Sequence, residues 1–167
     1  MQSWLARKML SRDMARLRAG DYRPQLRKVA KDVRFRFPGS SSWATELEGK
    51  GELERWLQRF VRVGLQIFPD QVVATGPPWN TTLVVRGPIH LKNAAGETVW
   101  ENRYAIWGRM AWGKLREYEV YEDTEKSSAL DRYLDSIGEL DPATGPRARA
   151  ATLHGHVGRE DRSRRAS

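Results

Sequence analysis

A chain of 167 residues, 40% of them hydrophobic, is long enough to bury a core as one domain. It contains no cysteine, which excludes disulfides, thiolate nucleophiles and cysteine metal sites, and no run of about eighteen apolar residues, which excludes a transmembrane helix. Its net charge of +8 is concentrated in residues 1–36, where eleven Lys/Arg face three Asp/Glu, whereas residues 37–137 carry twelve against fourteen and residues 138–167 six against four.

The first helix is expected over Ser3 to Arg18, with Ala6, Met9, Leu10, Asp13 and Leu17 recurring at spacings of three and four on one face. Arg7, Lys8, Arg12 and Asp13 interrupt any signal-peptide core, so the expected location is cytoplasmic. Gly20 offers the left-handed conformation that ends a helix, and Asp21 and Pro24 open a second one over Tyr22 to Val29. Val33, Phe35 and Phe37 alternate with Arg34 and Arg36 in a half-buried strand that Pro38-Gly39 ends. A loop follows from Pro38 to Gly49. The third helix, Gly51 to Val63, carries the stripe Leu53, Trp56, Leu57, Phe60 and Val61, and Gly64 stops it.

Beyond Gly64 the period becomes two. Strands are expected over Leu65 to Ala74, Trp79 to Leu91, Glu97 to Met110 and Lys114 to Glu122, linked by short turns as an antiparallel meander. Asp123 caps a last helix reaching Ile137. Residues 138–167 lack periodicity and are rich in Ala, Gly, Arg, Ser and Pro, which predicts a disordered basic tail after a domain spanning 1–137.

The order of helix, Ala19-Gly20-Asp21 turn, helix, strand and Pro38-Gly39 resembles the opening of the ketosteroid isomerase and SnoaL-like group of the nuclear transport factor 2-like superfamily. The resemblance implies an α+β fold in which three N-terminal helices pack on a strongly curved antiparallel sheet, making a cone with a central pocket. It also implies cofactor-independent acid–base chemistry on an apolar, oxygenated molecule, as in the group's cyclases and isomerases, and a homodimer through the convex face of the sheet. A non-catalytic ligand-binding or dimerisation module on the same fold is the alternative.

The group's ketosteroid isomerase residues transfer poorly. The position of its carboxylate base is Phe37, that of its buried acid falls near Ala105 or Ile106, and that of its oxyanion tyrosine is Asp13. Enolisation needs a base and proton donors, so steroid-type isomerisation is not expected. Asp13 stands out because it occupies an apolar helical face, where lost hydration would suit it to acid or base work; otherwise it pairs with Arg12 or Arg16. Strand parity sends Glu122, Tyr104 and Tyr118 towards the pocket, and Asp13, Glu122 and Tyr104 form the expected catalytic set. Phe35, Phe37, Trp43, Trp56, Phe60, Trp100, Asn102, Ile106, Tyr118 and Val120 are the expected ligand-binding residues.

No metal site is expected, because His154 and His156 lie in the tail and His90 takes the opposite parity. Ser40, Ser41 and Ser42 match neither a nucleophile elbow nor a P-loop, and no cofactor is expected. Trp107 and Arg109 fall on the convex side with His90 and suit a dimer contact. The basic first helices read as a solvated face, with neither nucleic acid nor membrane as a partner.

Overall fold

The computed structural model describes residues 2–140, with side chains described from Leu10 onward. In chain order its elements are α1 (Gln2–Arg18), α2 (Arg23–Arg27), β1 (Val29–Phe37), β2 (Thr45–Glu48), α3 (Lys50–Val63), β3 (Gln66–Ile67), β4 (Gln71–Thr75), β5 (Thr81–Lys92), β6 (Thr98–Ala111), β7 (Lys114–Glu122) and α4 (Thr124–Ser136). Three helices precede the long strands, as expected, with β1 and β2 set between them and α4 after the sheet. Gly20 ends α1 at φ 88°, where the amide of Asp21 bonds to the carbonyl of Arg16 at 2.9 Å. Asp123 caps α4 by accepting the amides of Glu125 and Lys126 at 3.0 and 3.3 Å.

The seven strands form one curved sheet in the order β2-β1-β7-β6-β5-β3, with β4 also on β5. The expectation of a wholly antiparallel sheet is corrected at one seam. β1 runs parallel to β7, with Phe35 opposite Tyr118 and Arg36 opposite Glu119. Alternation along a strand says which side chains are buried and nothing about the direction of its neighbour, so this seam had no local signal. β1 also begins earlier than expected, and its register shifts between Val29 and Arg34, which puts Val29, Ala30 and Val33 all inside.

Two further elements differ from expectation. The loop from Pro38 to Gly49 contains β2, antiparallel to β1. The strand expected over Leu65 to Ala74 is divided by Phe68-Pro69-Asp70 into β3 and β4, since proline has no amide to donate. The amides of Phe68 and Asp70 reach the carbonyls of Pro88 and Arg86 at 3.0 and 2.9 Å. They pass over Gly87, where a Cβ would lie 1.9 Å from the Phe68 carbonyl oxygen.

The parity of the long strands is as expected. Val85, Ile89, Leu91, Trp100, Asn102, Tyr104 and Val120 are buried on the concave side. The core joins them to Leu53, Leu57 and Phe60 of α3 and Leu130 and Leu134 of α4. His90 lies on the other side, its ring 5.3 Å from that of Phe68. Leu140 still packs on the core. The remainder of the expected tail, with His154 and His156, lies outside the described residues.

Candidate functional site

The concave face of the sheet and the four helices enclose a cavity of about 380 Å3, within the range of about 300–1,000 Å3 usual for small-molecule sites. Its wall is mostly apolar because the inward positions of β5, β6 and β7 meet the inward stripe of α3. Trp56 stands at the centre of an aromatic shell, its ring 4.8 Å from Phe35, 5.9 Å from Trp43 and 5.7 Å from Phe60. Of the expected ligand-binding residues, Phe37, Trp43, Trp56, Phe60, Trp100, Ile106, Tyr118 and Val120 line the cavity. Phe35 and Asn102 do not. Phe35 is 2% exposed and lies behind Trp56 and Tyr118, while Asn102 spends its amide on Glu122 and on the carbonyl of Asp123.

The three residues of the expected catalytic set all reach the cavity. Glu122 closes β7, and Asn102 Nδ2 and Ser127 Oγ donate to its Oε2 at 3.2 and 3.1 Å. Both of these bonds fall on one oxygen. Burial pushes the Glu122 carboxyl up to about 7, although the hydrogen bonds from Ser127 and Asn102 pull the other way. Tyr118 is raised too, first by burial and then by Glu122 beside it. Tyr104 is 3% exposed, its hydroxyl has no protein partner, and burial raises its pKa, so it remains an O–H donor at neutral pH.

Asp13 is placed differently from either sequence reading. Its carboxylate pairs with Lys28, at the junction of α2 and β1, rather than with Arg12 or Arg16. Gln25 Nε2 also donates to the Asp13 carbonyl at 2.8 Å. Asp13 is therefore a charge-compensated group at the cavity edge and not an isolated carboxylate on an apolar surface.

One cluster had no signal in the sequence because its members lie far apart in the chain. Ser42 donates to Asp131 Oδ1 and Oδ2 from its hydroxyl and its amide, both at 2.6 Å. Arg59 Nη1 and Nη2 donate to the Ser42 carbonyl and hydroxyl at 2.8 and 2.6 Å. The guanidinium also lies 4.0 Å from the ring of Trp43. This network fixes the segment before β2 between α3 and α4, and so holds Trp43 in the cavity wall, 3% exposed. Two more polar atoms on lining residues lack partners, Trp43 Nε1 and Gln25 Oε1. Among the described residues no group of three His, Cys, Asp or Glu side chains could hold a metal.

No protein-family model matches the chain, and no curated protein matches it. Solved structures do. A nuclear transport factor 2-like protein of unknown function from Burkholderia pseudomallei is 17% identical over 74% of this chain and 94% of its own, at a TM-score of 0.61. Bal32a, from a soil-derived mobile gene cassette, is 13% identical over 77% of this chain and 98% of its own, at 0.60. TerC, co-crystallised with polyporic acid, is 20% identical over 71% of this chain and 91% of its own, at 0.57. The chain has the nuclear transport factor 2-like fold that its opening segments resemble.

Proposed function

We propose that this chain is a small-molecule-pocket protein that carries out cofactor-independent acid–base chemistry on an apolar, oxygenated molecule, with Glu122 moving the proton. The observation that carries this reading is the Glu122 carboxyl on the wall of a mostly apolar cavity, where burial pushes it up to about 7. A carboxyl with that pKa is half ionised at neutral pH, where it can both take and return a proton. Tyr104 completes the arrangement, since its hydroxyl can donate to an oxygen that gains negative charge as the proton leaves. Cyclisation, dehydration and double-bond isomerisation all draw on such a pair. Ketosteroid-type isomerisation is disfavoured, because the position of that group's base is the buried Phe37. The aromatic lining of the cavity suits an aromatic ligand, and a neighbour of the same fold has been crystallised with polyporic acid.

A second reading, binding without turnover, is favoured by one observation: Tyr104, Trp43 and Gln25 offer unpartnered polar atoms that would hold a ligand's oxygens with no chemistry. Ligands would be found first by quenching of the cavity tryptophans, with polyporic acid and other hydroxylated aromatics as probes, and then incubated with protein to look for turnover. Glu122→Gln keeps the acceptor oxygen but cannot exchange a proton. It is expected to lower turnover by about two to four orders of magnitude while preserving binding. Equal turnover in the variant removes Glu122 from the chemistry, and binding with no turnover in either protein establishes the second reading.

A further inference from the structure

At one end of the molecule two hairpin tips carry tryptophans into solvent. Trp79, in the turn before β5, is 59% exposed, and Trp112, between β6 and β7, is 72% exposed. Their ring centroids are 6.1 Å apart. The Trp112 amide bonds to the Pro78 carbonyl at 2.7 Å, which ties the two tips together. Trp112 has φ 52°, the one positive value among the described non-glycine residues. A bulky residue in that region is strained, and exposing indole to water adds a second cost, so the arrangement runs against stability twice.

The tip between β6 and β7 borders the cavity. Gly113, next to Trp112, lines the cavity and is exposed, and Met110 and Leu115 on either side also line it. Two exposed cations, Lys114 and Arg27, stand together beside Trp112. The exposed Lys114 donates to the carbonyl of Arg27, itself exposed, at 2.6 Å, and Leu115 bonds to the carbonyl of Lys28 at 2.8 Å. The carboxylate of Asp13 is balanced by Lys28.

We infer that the Trp79–Trp112 pair, with Lys114 and Arg27 beside it, docks this protein on an anionic lipid bilayer, with the cavity turned to the membrane. Indole is the side chain that partitions to the bilayer interface, with its apolar body in the acyl boundary and its N–H among the headgroups. Lysine and arginine beside it meet the negative surface. No helix among the described residues is long and apolar enough to cross a membrane, and none is needed for docking of this kind. A second copy on the same tips would bring like charges together across a two-fold contact. A nucleic acid would use the charge and the rings but would leave the adjoining apolar cavity without purpose. A bilayer uses all three, since the apolar ligand of the proposed function, on which this point rests, would partition into it.

The test is co-sedimentation of the full chain with phosphatidylcholine vesicles, with and without phosphatidylglycerol, compared with the double variant Trp79→Ser/Trp112→Ser. Both tryptophans are at the surface and their arrangement is strained, so the thermal midpoint of the variant is expected to be no lower than that of the parent. Binding to the anionic vesicles is expected to exceed that to neutral ones by about tenfold or more, and the double variant to lose about tenfold. Brominated lipid is expected to quench the parent's fluorescence and to quench the variant's less. No binding to anionic vesicles overturns the inference. So does equal binding by the variant, which would assign it to charge elsewhere in the chain. Loss of a dimer in the variant, or binding of a single-stranded oligonucleotide through the pair without vesicle binding, overturns it in favour of that partner.

Discussion

At the scale of single residues, one carboxyl ties function to stability. Burial raises the Glu122 carboxyl from 4.5, its ordinary value, to about 7 in the folded chain, so the folded state retains a proton that the unfolded state gives up between these values. Stability is therefore greatest below about pH 4.5 as far as this group is concerned, falls as pH rises towards 7, and is level beyond. The total loss is about 3 kcal/mol. Glu122→Gln is expected to remove that slope and to raise stability at pH 8 by up to this amount, measured by urea unfolding at several pH values. Tyr104→Phe removes a buried hydroxyl that has no partner. The free protein is expected to gain about 1 kcal/mol, or at least to lose nothing, while affinity for an oxygenated ligand falls about tenfold. Asp13→Asn tests the pairing of Asp13 with Lys28. An isolated buried charge would give a stabilising variant, whereas here the change strips Lys28 of its counterion and is expected to cost up to about 1 kcal/mol. Glu122 was legible in the sequence because strand parity is a local rule. The Lys28 partner of Asp13 was not, because it depends on how α1 lies across the start of β1.

At the scale of elements, what the sequence made legible is what repeats locally. The stripe of α3 and the alternation of β5, β6 and β7 each require only a few neighbouring residues, and they place most of the cavity wall correctly. β2 escaped notice because four residues between serines and a glycine carry too little pattern. The break at Pro69 was masked by the apolar residues on both sides of it, although a proline within an expected strand was itself a signal that the strand could not run on uninterrupted. The Ser42, Arg59 and Asp131 network was illegible for a different reason, since it joins a loop and two helices that approach one another only in the fold. It predicts that Ser42→Ala, which removes a bond to each partner, costs about 2–3 kcal/mol. A lower urea midpoint with an unchanged slope would show this. Gly87→Ala is expected to be worse tolerated than any exposed change, because its Cβ has no room beneath the Phe68 carbonyl. Loss of the β3 and β4 amide protection in hydrogen exchange would locate the damage.

At the scale of the whole molecule, the convex face of the sheet is the surface that we propose for a homodimer. Val84 and Trp107 are paired across β5 and β6, and Glu119 continues the row on β7. Sedimentation at micromolar concentration is expected to give about twice the 19.2 kDa of one chain, and Trp107→Glu to return it to one; a monomeric parent would withdraw the proposal. The parallel seam has a consequence of another kind, in the order of events during synthesis. Arg34 and its partner Glu117 are 83 residues apart, and the sheet seam between them cannot form until β7 has been made. Until then β1 has only β2 to pair with, and Phe35 and Phe37 lack one side of their enclosure. Contacts of such long separation slow folding and prolong the time in which apolar strands stand open. A nascent chain released before Lys114 therefore carries both halves of its cavity without the strand that joins them, and is a substrate for chaperones rather than a smaller version of this fold.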